Sequence, residues 1–423
     1  MKSSLITCII LASLASPLPL SAEVTNDITD DRLIELRAKA KAGDVESQLK
    51  LANEYYALKQ DHTVAALWYR KAAKGGSAEA AYRLAQCYDQ GDGIDKSEFY
   101  AFKFYQQAAD QKHLKAKYEL ALKHSSGIAA DITEHTPKLP RSPEAAMKLL
   151  NELAVDSYAP AMREIAQLYL KQNTRTTADT KTAYKYLLKA VKAHDAPAMR
   201  ILADCLYKGI GCKKDLEKMI YYLKQAAKRN DIQAQARLAF CYENGIGITP
   251  DFNASFMLHQ SAADQGFAMS QVKMGDYHVT GEFLEQSLPQ ALQWYKKAAT
   301  QNQPLALYKL GTFALQGIGM KTDAKSAFEY LLRSSILGYA KAQLNIAFLF
   351  KEGRGTQTDD AKAFFWFQKS ALQGEHASQL ELAFCYMNGK GVKKDQKTGL
   401  NWLKKSAAAG NREARQILQN MID

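Results

Sequence analysis

The sequence predicts an all-α protein, a right-handed α-solenoid of about ten helix-turn-helix repeats of 36 residues. Three observations lead to this prediction: a small residue recurs at a fixed interval, pairs of glycines recur in the same frame, and a second apolar segment follows each pair. The stretches LAFCYENGIGI from Leu238 and LAFCYMNGKGV from Leu382 show the repetition directly. Their starts lie 144 residues apart, which is four times 36.

The recurring small residue, called position 0 below, lies near the start of the first helix of each repeat. It can be followed through Ser47, Ala80, Ala116, Ala161, Ala198, Ala234, Ser270, Ala306, Ala342, Ser378 and Ala414. The last seven members are separated by six successive intervals of 36 residues, so the chain is a tandem array. Positions 0, +4, +5 and +8 carry small, Leu-like, small and mostly aromatic residues on one helical arc. That arc is predicted to be buried.

Paired glycines close the first helix in most repeats. The pairs are Gly91/Gly93, Gly209/Gly211, Gly245/Gly247, Gly317/Gly319, Gly353/Gly355 and Gly389/Gly391. The first glycine of each pair suits a left-handed C-terminal cap. A second helix is predicted next, as in ALQWYKKAATQ from Ala291 and AFFWFQKSALQG from Ala363. Such a helix pair cannot bury its own apolar face, so successive pairs are expected to stack.

This pattern, A-x-x-x-L-A/G-x-x-Y-x-x-G-x-G followed by A-x-x-W-Y-x-K-A-A, resembles the Sel-one-like repeat (SLR), a 36-residue relative of the tetratricopeptide repeat. The match is strong in residues 198–423 and weaker in 47–197, where the unit at Ala116 keeps only Gly127. The resemblance implies a non-catalytic adaptor. Many such proteins are exported by Gram-negative bacteria and support envelope assembly, signalling or contact with host cells through protein partners.

The ends of the chain differ from the repeats. Residues 1–22 are predicted to be a signal peptide, because Lys2 precedes an apolar run that ends in small residues. Residues 23–46 are predicted to form an N-terminal capping half-repeat, and residues 47–423 the SLR solenoid. A proline-containing loop is expected over 124–145. The product is therefore expected in the periplasm or outside the cell, and its oligomeric state is left open.

The chain is basic, with a net charge of +12. This favours acidic protein partners or an anionic envelope surface, although the charge is spread along the chain. Nucleic acid or an acidic glycan is a weaker alternative, and no specific nucleic acid is expected. Beyond the first segment no stretch approaches 18 unbroken apolar residues, so no transmembrane segment is expected in the mature chain.

The sequence does not predict a catalytic site or a metal site. Ser-x-x-Lys occurs at Ser47 and Ser270, and Lys-Thr-Gly at Lys397, which leaves a peptidoglycan- or β-lactam-interacting envelope protein or enzyme as the alternative function. Both serines, however, occupy position 0 of the repeat. The eight histidines show no metal-ligand spacing, and no cofactor motif is present. A disulfide between Cys205 and Cys212 is left open.

The predicted binding residues lie opposite the buried arc, at positions +2, +3, +6, +9 and +10 of the first helices. In tetratricopeptide-like arrays this side lines the concave groove, where a partner segment would lie. The predicted partner-binding residues are Phe240, Phe348, Phe384, Tyr308, Arg237, Lys273 and Lys309. Packing between repeats is the alternative role for the aromatic residues, and a solvated helix face is the alternative for the charged ones.

Overall fold

The computed structural model describes residues 24–57, 60–128, 138–171 and 176–421, with side chains from residue 33 onward. The predicted signal peptide therefore lies outside the described residues. The chain divides into two compact units, which meet between Asp195 and Ala196 in the sequence. The prediction of an all-α solenoid is confirmed, because the described residues form 22 helices and no strand.

Unit 1 contains nine described helices, and each packs on its neighbours along the chain within the unit. They are α1 (Val24–Lys41), α2 (Val45–Ala57), α3 (His62–Lys74), α4 (Ala78–Gln90), α5 (Glu98–Asp110), α6 (Leu114–Ser126), α7 (Pro143–Val155), α8 (Ala159–Lys171) and α9 (Thr177–Lys192). Even-numbered helices from α2 onward are the first helices of their repeats, and odd-numbered helices from α3 onward are the second helices.

Unit 2 continues the same alternation more regularly. Its described helices are α10 (Ala196–Lys208), α11 (Leu216–Lys228), α12 (Ile232–Asn244), α13 (Phe252–Asp264), α14 (Ala268–Thr280), α15 (Leu288–Thr300), α16 (Pro304–Gln316), α17 (Ala324–Ile336), α18 (Ala340–Glu352), α19 (Asp360–Leu372), α20 (His376–Asn388), α21 (Gln396–Ala408) and α22 (Arg412–Asn420). In the first helices from α10 to α20, the residues at positions 0, +4 and +5 are buried, as the predicted helical arc requires.

Local sequence determines where the helices begin and end. In each described repeat the second helix starts after a Ser, Thr or Asp. The side chain of this residue accepts a hydrogen bond from a backbone N–H of the first turn. Several first helices end at a glycine in the left-handed region, for example Gly245 and Gly389. Because both signals recur in one frame, each helix boundary recurs as well.

The long connection between α6 and α7 departs from the repeat. Ile128 and Leu139 exchange two backbone hydrogen bonds of 2.9 and 3.1 Å, which tie the two sides of the connection together. Residues 129–137 of the predicted loop lie outside the described residues. Pro143 does not belong to the loop but is the first residue of α7, where its missing N–H would have no helical partner in any case.

A glutamine ladder joins successive repeats of unit 2. The glutamine at position +1 donates to a carbonyl of the preceding second helix, and its own side-chain oxygen accepts from a glutamine 30 residues later. Three such pairs are present, Gln235 with Gln265, Gln271 with Gln301 and Gln343 with Gln373, at 2.8 to 3.1 Å. In the last repeat Ala409 stands where the second glutamine would be. The Oε1 atom of buried Gln379 accordingly has no hydrogen-bond partner among the residues that the structure describes.

Replacing Ala409 with glutamine should complete this ladder. We expect the free energy of unfolding to rise by about 1 kcal/mol, because a buried acceptor gains a donor. Urea unfolding followed by far-UV circular dichroism measures the change. Ala409→Met is the matched control, since methionine has a similar length and no donor. An equal gain in both variants would show that added apolar contact, not the hydrogen bond, is responsible.

Candidate binding face on the first helices

The candidate site lies where one first helix of unit 2 meets the next. Each such cleft is lined by position +9 of one first helix and by positions +3, +6 and +10 of the following one. Two clefts enclose cavities, and they occupy equivalent places three repeats apart. The clefts arise from the repeat itself, because the small residues at positions 0 and +5 let the helices approach while the longer outer side chains diverge.

The α12–α14 cleft holds a cavity of about 190 Å³. Glu243 and Lys273 meet across it, with Lys273 Nζ donating to Glu243 Oε2 at 3.0 Å. The Tyr277 hydroxyl donates to Glu243 Oε1 at 2.8 Å. Although burial raises the pKa of the Glu243 carboxyl, the bonds from Tyr277 and Lys273 outweigh it, and the net pKa is lowered. The carboxylate is therefore held in its charged form.

The α18–α20 cleft holds a cavity of about 230 Å³ with the charges reversed. Here the base is at +9 and the acid at +3, and Lys351 Nζ donates to Glu381 Oε2 at 2.7 Å. Phe384 and the fully buried Phe367 form an apolar part of the lining. The Cys385 thiol also lines it, and burial raises its pKa to about 11, so it is a neutral thiol at physiological pH.

The predicted basic residues are all found in ion pairs between repeats. Arg237 pairs with Asp204, and Lys309 Nζ lies 2.7 Å from Asp276 Oδ1. Lys273 pairs with Glu243 as described above. These three bases thus do not project as isolated charges. At these three positions a partner would meet bases that are already paired with acids.

The predicted aromatic residues differ in exposure. Phe240 is 52% exposed, and Phe384 is half-buried beside the α18–α20 cavity. Phe348 packs edge-on against Phe367, with ring centroids 5.2 Å apart. Tyr308 is half-buried against Tyr339 of the next repeat, with centroids 5.1 Å apart. The structure thus brings Phe348 and Phe384 near one cavity lining, whereas Phe240 lies on a separate cleft.

Position +2 was expected on the open face, and this expectation is wrong. Tyr82 at +2 is 7% exposed and stacks on His113, the residue that caps the next first helix, at 4.7 Å. Arg200, also at +2, instead pairs with Asp231, the equivalent capping residue. Position +2 therefore packs between repeats, because a neighbouring helix start covers it.

The Ser-x-x-Lys motif at Ser270 does not form an exposed catalytic pair. Ser270 has no exposed surface, and its Oγ lies 3.1 Å from Nδ1 of buried His259. Burial lowers the pKa of His259 to about 4, so the imidazole is neutral at physiological pH. Lys273 is bonded to Glu243 instead of the serine. No substrate carbonyl could reach this hydroxyl in the described structure.

No disulfide joins Cys205 and Cys212 in the described structure. Cys212 Sγ lies 3.7 Å from the carbonyl oxygen of Cys205 and 3.6 Å from that of Ile210, within reach of the backbone. Within the described ranges, no group of side chains could hold a metal ion. No described helix is long and apolar enough to cross a membrane.

Sequence reasoning missed the acidic half of each ion pair. Asp204 and Asp276 at +6, and Glu243 at +9, were not selected, nor was Glu381 at +3. A usable signal exists, because each acid lies 30 or 33 residues from its base. Reading charges across repeats, as i and i+4 are read within a helix, would have found them.

Comparison with known proteins agrees with this architecture. The family pattern described as Sel1 repeat matches residues 45–77, 78–113, 159–195, 196–231, 232–267, 268–303, 304–339, 340–375 and 376–411. A Sel1 repeat protein from Oxalobacter formigenes is 26% identical and aligns over 62% of this chain and 99% of its own, with a TM-score of 0.52. A protective antigen present in uropathogenic Escherichia coli strains, displaying an SLR fold, is 23% identical over 92% of this chain and 90% of its own, with a TM-score of 0.49.

Proposed function

Because the chain belongs to the Sel1 repeat family, we propose that it is a non-catalytic scaffold that binds a partner polypeptide segment along the first helices of unit 2. Sel1 repeat proteins generally mediate protein–protein interactions. The observation that carries the proposal is the pair of cavities at equivalent places in the α12–α14 and α18–α20 clefts. A partner whose side chains enter both of these clefts would be held in one register.

The size of the cavities favours polypeptide side chains over a cofactor. They measure about 190 and 230 Å³, whereas pockets for small molecules and cofactors are roughly 300–1,000 Å³. Each cavity combines a small apolar area with an ion pair, which suits one anchoring side chain and its polar neighbour. The first helices that line the clefts end at left-handed glycine caps and pack against the helices on either side, so the surface is formed before binding. Little ordering cost then opposes association.

Aromatic side chains supply the apolar contacts along this face. Tyr207 at +9 of α10 is 42% exposed and Phe240 at +6 of α12 is 52% exposed, and these two positions line the same cleft by the repeat frame. Phe384 occupies position +6 in the α18–α20 cleft. Aromatic residues of this kind contribute most to binding energy when a partner covers them. The ion pairs beside them contribute mainly orientation and selectivity.

We further propose that the protein acts at the cell envelope or outside the cell. The composition of residues 1–22 supports export, and the net charge of +12 suits a surface near anionic envelope polymers. N-terminal sequencing of the product recovered from cells would show a start near residue 23. A product that retains Met1 would contradict export.

The binding test is a selection of displayed peptides on the immobilised protein, followed by affinity measurement on variants. Phe384→Ala should weaken the selected peptides by about 2 kcal/mol, roughly thirtyfold in Kd, if Phe384 anchors them. Phe365→Ala is the matched control, because Phe365 is 45% exposed on the second helix α19. Phe240→Ala tests the cleft between α10 and α12. Little loss of stability is expected, because the Phe240 side chain is exposed.

Circular dichroism should first confirm that each variant keeps its helical content. Equal affinities for wild type, Phe384→Ala and Phe240→Ala would place the binding surface elsewhere. The same conclusion would follow if Phe365→Ala were the variant that lost binding. Failure to select any peptide that recognises this face would contradict the proposed mode of binding.

A further inference from the structure

Two adjacent repeats, which open at Ala234 and Ser270, depart from the pattern at three places around one cavity. His259 replaces the Leu, Tyr or Phe found at its position in other second helices, Tyr277 stands at +7, and Phe283 replaces the second turn glycine. Phe283 stacks on Phe256, with centroids 5.6 Å apart, and meets the Tyr277 ring edge-on at 5.0 Å. These changes give the α12–α14 cavity aromatic walls.

The same cavity is acidic, although the protein as a whole is basic. Glu243, Asp276 and Glu282 line it, against the single base Lys273. Asp276 accepts from Tyr295 at 2.6 Å and also pairs with Lys309. Glu282 is exposed and has no salt bridge within the described residues. One negative charge therefore remains at the mouth, beside Glu243 and Asp276, which are each paired with a lysine.

A buried polar group on the inner side of this cavity lacks a partner. His259 Nε2 has no hydrogen bond to any described residue, its side chain is 4% exposed, and it faces Glu243 Oε1 across 3.9 Å. This distance is too long for a hydrogen bond. Glu243 Oε1 already accepts from Tyr277 and Lys273, whereas Glu243 Oε2 accepts from Lys273 alone and keeps acceptor capacity where Glu243 lines the cavity. A donor group entering from outside could use that capacity.

The mouth also offers an aromatic surface suited to a cation. Phe252 lines the cavity and is 51% exposed, and Phe283 lies deeper in the lining. The face of an aromatic ring attracts an ammonium or guanidinium group, and its hydrocarbon packs against an alkyl stem. A long basic side chain satisfies both requirements. An acidic side chain would meet the Glu282 and Asp276 charges.

We propose that the α12–α14 cavity binds a basic side chain, lysine or arginine, of the partner segment. The alkyl stem lies along Phe252 and Phe283, and the cationic group reaches Glu282 at the mouth and Glu243 within. This inference deepens the proposed function and rests on it for the identity of the partner. The α18–α20 cavity, with Lys351 and Lys390 in its lining, is not suited to the same group.

The test uses single-residue probes, so it does not depend on finding the partner. Nα-acetyl-arginine and Nα-acetyl-lysine methylamides are titrated into the whole protein carrying ¹⁹F-labelled phenylalanine, with neutral Nα-acetyl-norleucine methylamide for comparison. The Phe252 and Phe283 resonances, assigned with Phe252→Leu and Phe283→Leu, should shift and saturate with the basic probes. Glu282→Gln should raise the Kd about fivefold, and the exposed neighbour variant Glu285→Gln should leave it unchanged.

The outcomes separate this inference from the proposed function. Equal shifts with the norleucine and arginine probes, or equal effects of Glu282→Gln and Glu285→Gln, would overturn the basic-side-chain site. If displayed peptides bind through Phe384 but need no basic residue, the inference fails and the scaffold function stands. If the basic probes bind and no peptide does, the cavity is confirmed as a cation site while the binding of a polypeptide segment is rejected.

Discussion

Replacing Gly391 with alanine is expected to lower the free energy of unfolding by about 3 kcal/mol, through backbone strain and overpacking together. Gly391 has a φ of +70°, a region that residues with a Cβ rarely adopt. A Cβ at this position would also collide with the carbonyl group of Asp360, in the first turn of the preceding second helix, α19. Backbone cannot rotate away as a side chain can. The junction between the two repeats would have to open.

Gly389→Ala is the matched control for this prediction. Gly389 has a nearly equal φ of +72°, but a Cβ there would approach Lys394 no closer than 3.3 Å, at that residue's own Cβ. We expect it to cost about 1 to 2 kcal/mol, the strain of the left-handed conformation alone. Urea unfolding followed by circular dichroism compares the two variants. Equal losses in the free energy of unfolding would mean that the close approach of α19 does not determine which residue is tolerated at position 391.

Replacing Phe367 with alanine should have a comparable or larger effect, about 3 to 5 kcal/mol. Phe367 has no exposed surface and packs edge-on against Phe348 of the preceding first helix. Its removal would leave a cavity between α18 and α19 that the packed helices cannot readily fill. The loss should appear as a lower urea midpoint. It should also disturb the adjacent α18–α20 cleft, since Phe367 belongs to its lining.

Phe367→Leu separates the two consequences of that change. Leucine occupies the equivalent position in other repeats, at Leu331 and Leu403, so the variant should lose less than about 1.5 kcal/mol. Peptide binding to the α18–α20 cleft can then be measured on a stable protein. A Phe367→Ala variant as stable as Phe367→Leu would show that the helices collapse into the vacated space, contrary to our expectation.

Most of the fold could be predicted from the sequence, because its determinants are local and repeat in one frame. The αL glycines, the Ser, Thr and Asp caps, and the small residues at position 0 each act within a few residues of their own position. Pro143 shows the limit of such reasoning. A proline inside a helix breaks it, yet the first turn accepts one, so the proline-containing loop ends one residue before it at Ser142.

The candidate site was only partly predictable. The helical period correctly leaves Phe240 exposed, because the rest of its own helix determines which arc is buried. It does not reveal what the next repeat places over a given side chain. Tyr308 meets Tyr339, and Lys273 meets Glu243, through contacts that cross from one repeat to another. Predicting them requires the rotation between neighbouring helix pairs.

The sequence by itself determined the repeat length, the helix boundaries and the small-residue stripe on which stacking depends. Only the tertiary structure decided which charges neutralise one another, which glutamine lacks its partner, and which clefts enclose a cavity. The physical reason is the separation in sequence over which each kind of interaction acts. Caps, glycine conformations and helical periodicity act over three to five residues, whereas ion pairs and cavities depend on ångström-scale distances between groups about 30 residues apart in the chain.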